Sequence, residues 1–373
     1  MKKTKYNVIN IAALTLLPIF GVFGTIWHVM KYGVVWQEPI LLIIFWIITG
    51  LGITVGYHRL FSHRSFTAHP ILDWILAIFG AAALENSALQ WCSNHRSHHK
   101  HLDTDKDPYS ITKGFFHAHI GWIFENKPFP IDKVDDLQKK PALIFQHKYY
   151  YLLFAMFSIG LPVSLGLLWG RPLGALFWAV LLRITLVHHF TYFINSLCHY
   201  IGSKPYDAKC TSRDSWYVAF LTFGEGFHNY HHKFQWDYRN GIRWFHFDPS
   251  KWVIWFFSKV GLAKKLKKAS YIQIMKAKSK NTWNQIQSNL DTMPKQISNS
   301  YNNKLYNIKE RIQSIEKSWI MLDKEMIPNI IGQKIPTKTI KLIQEKRKQL
   351  QTEYISHLRS LSLILITLQN NPY

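Results

Sequence analysis

Pro39-Ile-Leu-Leu-Ile-Ile-Phe-Trp-Ile-Ile-Thr-Gly-Leu-Gly-Ile-Thr-Val-Gly56 runs without a break into Tyr57-His58-Arg59-Leu60-Phe61-Ser62-His63. The stretch 39–56 carries no charge, and a helix needs about 20 apolar residues to cross a bilayer. A membrane span that ends in two histidines is the reading from which the rest follows. Three further stretches are as long and as apolar: 8–30, 151–170 and 173–194. The first lacks a small-residue cleavage site and is long for a signal peptide, so it reads as a span. A shorter run, 71–84, ends in Glu85-Asn86-Ser87 and reads as a helix in the interface or buried in protein.

Basic residues set the expected sidedness. The start is Met1-Lys2-Lys3-Thr4-Lys5, the stretch 57–150 is rich in Lys and Arg, and everything after His199 is basic. The links 31–38 and 169–172 are short and nearly uncharged. Both termini and the large middle loop are therefore expected in the cytoplasm, with two tight hairpins on the other side. Every histidine cluster then falls on the cytoplasmic side.

Those histidines are the anomaly of the composition. There are 19, against three cysteines (Cys92, Cys198 and Cys210) in a chain of 373 residues with a formal charge of +23. No Cys-x-x-Cys pair exists, which removes a disulfide framework, iron–sulfur clusters and a thiolate zinc site. Three clusters stand out: His58 with His63, His95-Arg-Ser-His98-His99, and His228-Asn-Tyr-His231-His232. Positions i, i+3 and i+4 share one helix face, so each of the last two is expected to aim its imidazoles at one point. The five-residue spacing of the first requires bending at a helix end. Asn195 and His199 add a pair, four residues apart, at the end of the fourth stretch. His28, His69, His147, His246 and His357 stand alone and read as structural or surface groups. His188-His189 lies inside the fourth stretch and reads either way. His101, His117 and His119 read as supporting or structural.

One metal ion cannot use nine imidazoles, but two can share them. Imidazole suits iron, copper, zinc and nickel. Two irons with dioxygen can attack an unactivated C–H bond, and beside apolar spans an acyl chain is the natural substrate. A metal transporter would line a path through the bilayer with its histidines, whereas here nearly all lie outside the spans. An iron-dependent lipid hydroxylase would use a similar site and keep an oxygen atom in its product.

From about Lys264 aromatics thin out, and the net charge to the end is about +13. Leu305, Ile308, Ile312, Ile315, Trp319 and Leu322 follow a coiled-coil-like seam. Pro328 and Pro336 interrupt it, and 340–368 forms a second amphipathic stretch. The expectation is a helical hairpin without a ligand cluster. It lacks the aromatic platforms and arginine bias of a nucleic-acid binder, so anionic lipid is its simpler partner.

Over roughly residues 52–262 the chain resembles the membrane acyl-CoA desaturases, the stearoyl-CoA (delta-9) group. Beside the three clusters, the resemblance is carried by Asp107-Pro108, Gly114-Phe115-Phe116, His119-Ile120-Gly121-Trp122, Asn195-Ser196-Leu197-Cys198-His199 and Gly224-Glu225-Gly226-Phe227. It implies two irons ligated by His58, His63, His95, His98, His99, His199, His228, His231 and His232, with Asn195 holding one through a water. It implies a narrow, bent acyl tunnel shaped by Trp91 and Thr191, with Trp122 and Lys127 near the head group. The animal enzymes carry Arg-Asp where this chain has Ser93-Asn94, and a basic residue where it has Asn126. Both changes weaken the expected grip on coenzyme A and bring an acyl-lipid into consideration. The chain carries no recognisable haem or flavin domain, so electrons are expected from a separate donor, a b-type cytochrome or a ferredoxin-like protein.

The expected fold is thus an all-α membrane protein. Four transmembrane helices carry a cytoplasmic helical cap with a histidine-rich two-metal site (1–263), followed by a basic, helical, coiled-coil-like extension (264–373). The expected reaction is cis desaturation of a saturated acyl thioester, at the ninth carbon, by dioxygen.

Overall fold

The computed structural model of the chain describes residues 6–126, 130–326 and 336–370. Among the described residues four helices are long and apolar enough to cross a membrane: Val8–Tyr32, Gln37–Ser62, Tyr150–Leu167 and Pro172–Tyr200. These are the four expected crossings, with ends moved by a few residues. Asn7 caps the first, its Oδ1 accepting from the Asn10 backbone N–H at 3.1 Å, and Gly33 closes it in a left-handed conformation (φ 69°). Ile9, Phe23 and Met30 stand exposed along it, the surface a lipid-facing helix presents. Its inner face is built for close approach, since a Cβ on Gly21 would lie 2.7 Å from Thr185 Oγ1 and 2.9 Å from Leu181 O of the fourth span. Small residues let membrane helices pack at short range.

The second span is wound in two ways. Gln37–Leu51 is an α-helix, and Gly52–Ser62 continues it as a π-helix. His63 N–H bonds His58 O at 3.1 Å, five residues back. Wider winding, rather than the expected bend, brings His58 and His63 to one side. Gly52 permits it by packing on the shorter helix Pro70–Ala81, where a Cβ would meet Gly80 N at 2.5 Å. That helix covers most of the expected short apolar run 71–84.

Between it and the next helix, Ala88–His101, the loop 82–87 is pinned to the spans. Arg183, buried in the fourth span, donates to Ala82 O (2.8 Å), Ser158 O (3.2 Å) and Ser158 Oγ (2.6 Å). At the far end of the bundle Arg171 donates to Glu38 Oε1 at 3.0 Å and to the carbonyls of Tyr32 and Gly33, closing both short hairpins. Two short strands, Thr67–Ala68 and Ala263–Lys264, pair antiparallel.

The chain divides into two compact units, Met1–Lys204 with Lys209–Lys268, and Pro205–Ala208 with Ala269–Tyr373. Among the described residues the second contains three helices, Tyr271–Asp291, Lys295–Glu325 and Thr337–Asn370, one more than the expected hairpin. The additional helix opens on a capping box, in which Ser270 Oγ accepts from Gln273 N–H and Gln273 Oε1 accepts from Ser270 N–H. The six residues of the expected seam are all buried there, around Ile286, Tyr354 and Leu361. Pro336 immediately precedes the last helix, and Pro328 lies outside the described residues.

Candidate metal centre

Cluster one ends the second span and His199 ends the fourth, so both arrive at the same end of the bundle. There the nine cluster histidines form two groups. His58, His63, His95, His99 and His231 make one, and His98, His199, His228 and His232 make the other. In each group one ring nitrogen per residue lies within 4.8 Å of all the rest.

The clusters therefore do not each aim at one point, as their spacing suggested. His95 and His99 serve the first group and His98 the second; His228 and His232 serve the second and His231 the first. The reason is angular. At 3.6 residues per turn, residues four apart lie close in azimuth, and the residue three along falls on the opposite flank. Each helix, Ala88–His101 and His228–Lys233, is wedged between two centres and feeds both. Asn195 and His199 differ from expectation too, because the helix breaks at Ser196 (φ −105°, ψ −68°) between them.

The ring nitrogens crowd in a way that hydrogen bonding among themselves cannot satisfy. His231 Nε2 lies 3.0 Å from His58 Nε2 and 3.0 Å from His99 Nε2. His228 Nε2 lies 3.1 Å from His199 Nε2 and 3.0 Å from His232 Nε2. A neutral imidazole nitrogen has either one hydrogen or one lone pair, so it cannot serve two such neighbours. Buried His98 Nε2 has no hydrogen-bond partner among the described residues. Convergent lone pairs of this kind fit a cation.

The opposite ring nitrogens support that fit. His58 Nδ1 lies 2.9 Å from Glu225 Oε2, and His98 Nδ1 lies 2.9 Å from Asp107 Oδ1. His199 Nδ1 lies 2.7 Å from Thr211 Oγ1, which itself donates to Asp103. An acceptor on Nδ1 keeps the proton there and turns the Nε2 lone pair inward. His63, His95, His99, His228, His231 and His232 are held well below the usual imidazole range, first by burial and then by neighbouring imidazoles. Neutral imidazole is the ligating form. The donor set suits a first-row transition metal.

A charged lattice fixes this arrangement from below. Arg59 is fully buried and donates to Glu225 Oε1 (3.0 and 2.9 Å) and to Tyr238 O (2.7 Å), with Asp248 Oδ1 at 2.9 Å. Burial alone would raise the Glu225 carboxyl, but Arg59 and His58 hold it below the usual carboxylate range. Sequence reasoning gave no role to Arg59, Glu225, Asp107, Asp103 or Thr211. The available signal was an acidic residue near each H-x-x-H-H cluster, Glu225 before His228 and Asp107 after His99.

A cavity of about 480 Å³ opens against the site. His58, His95, His98 and His228 form part of its wall, and Ala13, Leu14 and Leu17 of the first span form another part. Trp91, Trp122, Thr191 and Asn195 all line it. The Trp91 ring stacks on His95 at 4.9 Å, and Trp122 lies 5.1 Å from Tyr109. Lys127 lies outside the described residues. His188 donates to Ala83 O (3.0 Å) and Leu84 O (3.1 Å), which makes it structural. His119 pairs with His189 and Ser196, apart from both groups.

Comparison with known proteins gives a concordant result. A profile described as fatty acid desaturase matches residues 34–257. The chain is 43% identical over 257 residues to the probable acyl-CoA desaturase of Schizosaccharomyces pombe, covering 68% of this chain and 52% of that protein. It is 38% identical over 313 residues to acyl-CoA desaturase 1 of Saccharomyces cerevisiae, covering 78% of this chain and 60% of that protein. It is 36% identical over 270 residues to the sn-1 stearoyl-lipid 9-desaturase of Anabaena variabilis, covering 72% of this chain and 96% of that protein. The chain thus spans little more than half the length of the two fungal relatives.

Proposed function

This chain belongs to the fatty acid desaturase family, and from that premise we propose that it is a membrane-bound, two-iron desaturase of saturated acyl chains. The observation that carries the proposal is the shared wall: four of the nine clustered histidines line a cavity that continues along an apolar span. The clustered histidines and a cavity with an apolar wall thereby form one site.

His58, His63, His95, His99 and His231 would hold one iron; His98, His199, His228 and His232, with Asn195 beside them, would hold the other. Bound iron supplies the electron-transfer chemistry by which dioxygen takes hydrogen from an unactivated methylene. The chain's own residues do the rest. Glu225 and Asp107 keep the His58 and His98 protons on Nδ1. Apolar walls on the first span hold the acyl chain beside the imidazoles, and proximity converts a two-body encounter into one within a complex. Trp91 and Thr191 shape the bend, and Trp122 faces the head group. The overall balance is one saturated chain, dioxygen, two electrons and two protons in, and one cis alkene and two waters out. The electrons come from a separate donor, a b-type cytochrome or a ferredoxin-like protein, so turnover should require its addition.

The names of the two fungal relatives favour an acyl-CoA substrate, and that of the Anabaena relative favours desaturation at the ninth carbon. Side-by-side assay of acyl-CoA and acyl-lipid identifies the carrier. The site and both termini lie in the cytoplasm on this reading. Purified protein should hold about two irons per chain, and His231→Ala should lose iron and activity together. A folded His231→Ala protein with full iron and full activity would overturn the ligand assignment.

A further inference from the structure

Outside the four spans, two short helices expose aromatic rings where a helix facing water would carry polar side chains. On Trp216–Leu221 the exposed positions are Trp216, Tyr217 and Phe220, while Val218 and Ala219 are buried. On Pro249–Lys259 they include Trp252, Trp255 and Phe256, which share one face at i, i+3 and i+4, while Ser250 and Ile254 are buried. Phe247 joins the two faces, its ring 4.8 Å from that of Phe220 and 5.6 Å from that of Trp252. Single exposed apolar residues are ordinary, but a joined patch of large rings marks a contact surface.

Both helices are fastened to the second span at the level of its apolar stretch. Ser250 Oγ, at the start of the later helix, lies 2.7 Å from Thr54 Oγ1 and 3.0 Å from Phe223 O. Phe223 follows the earlier helix and sets its ring 4.9 Å from that of Trp46. A Cβ on Gly50 would lie 2.3 Å from the same Phe223 ring. Trp46, Gly50 and Thr54 all belong to the uncharged stretch 39–56. At 1.5 Å per residue, Gly50 lies about 9 Å inside the end of that stretch. An element packed on the span at this depth has lipid, not water, against its outer face.

We propose that Trp216–Leu221 and Pro249–Lys259 lie in the interface of the phospholipid bilayer, with their aromatic face in lipid, as a membrane-contact surface additional to the four spans. Tryptophan and tyrosine favour this zone, where the body of the ring meets acyl chains and its N–H or O–H meets head groups. Lys259 Nζ lies 5.4 Å from the centroid of the Trp255 ring, and its long stem lets the ammonium rise to lipid phosphate. A protein partner would account for exposed rings equally well, but not for their depth beside Gly50 and Thr54. The contact also bears on the metal centre. Ser215 N–H donates to Gly226 O at 2.8 Å, and a Cβ on Gly226 would lie 2.1 Å from Ala219 N. The earlier helix therefore packs directly on the segment that leads into His228, and its seating in lipid fixes the depth of that cluster. The inference rests on the membrane reading of the four spans and is independent of the reaction.

Quenching of a site-specific fluorophore tests this in the full-length protein held in phospholipid nanodiscs. Trp216→Cys and Trp255→Cys are labelled in turn, and labelled wild type gives the background from the native cysteines. Phe23→Cys, on the exposed face of the first span, is the lipid reference. Lys106→Cys, on an exposed loop, is the water reference. A nitroxide carried shallowly on the acyl chains should quench both test labels as it quenches the Phe23 label. Iodide in the buffer should quench them at least about fivefold less than the Lys106 label, since an interfacial helix buries its apolar face about 5–10 Å deep. Iodide quenching equal to that at Lys106, without quenching by the nitroxide, would put the patch in water and overturn the inference. Shielding from both quenchers would overturn it too, because the rings would then be covered by protein, a second copy or another segment of this chain. Should one variant fail to fold, the other decides alone. Absence of nitroxide quenching at Phe23 as well would overturn the membrane reading, and this inference with it.

Discussion

A histidine serves a metal only when something decides which of its nitrogens bears the proton. Here that decision is made by residues far away in sequence. Glu225 meets Arg59 across 166 positions and turns His58 from the same carboxylate. Clustered histidines were legible because their spacing is local. Glu225 and Thr211 were not, because nothing in a linear chain tells which carboxylate or hydroxyl will face which ring. Glu225→Gln keeps the shape but leaves Arg59 with one carboxylate fewer and weakens the acceptor at His58 Nδ1. The expected result is a loss of metal affinity of about 10- to 100-fold, read by competition with a chelator. Unchanged affinity in a folded variant would show that Glu225 serves the fold alone.

Helices carry these residues to the site in ways that periodicity predicts only in part. The four apolar stretches fixed where the spans lie, since nothing but a helix leaves its backbone satisfied in lipid at that length. The π-winding of Gly52–Ser62 was hidden, because an extra residue per turn leaves no mark in an apolar run. The division of each H-x-x-H-H between two centres was also hidden, since one helix face looks like one target until a second centre is present. The helix Tyr271–Asp291 escaped notice because its apolar positions are diluted by Lys, Gln and Asn, although its capping box was there to be read. The first span's contribution to the cavity leads to a prediction at this scale. Leu17→Trp places added volume on that wall, and an overpacked apolar pocket has no room for the last methylenes. Products should move to shorter chains, measured by gas chromatography of lipid extracts. An unchanged chain-length profile would show that the first span does not bound the acyl chain.

At the scale of the molecule, the expected all-helical membrane fold with its histidine site is present. Sidedness is the proposal made from basic residues, and it has a direct check. A reporter inserted near Lys133 or fused after Tyr373 should read as cytoplasmic, and a tag at Gly170 should face outward. Opposite sidedness at either of the first two would contradict it. Apart from Pro205–Ala208, the second unit lies beyond the matched residues 34–257, and it holds none of the clustered histidines. The central claim concerns what becomes of dioxygen at a site that both desaturation and hydroxylation could use. The most direct measurement is mass spectrometry of the acyl products formed under isotopically labelled dioxygen. This account predicts a cis-monounsaturated chain of about sixteen to eighteen carbons, filling a buried pocket of this kind, with the label found in water. A hydroxylated chain carrying the label, with no alkene, would contradict it.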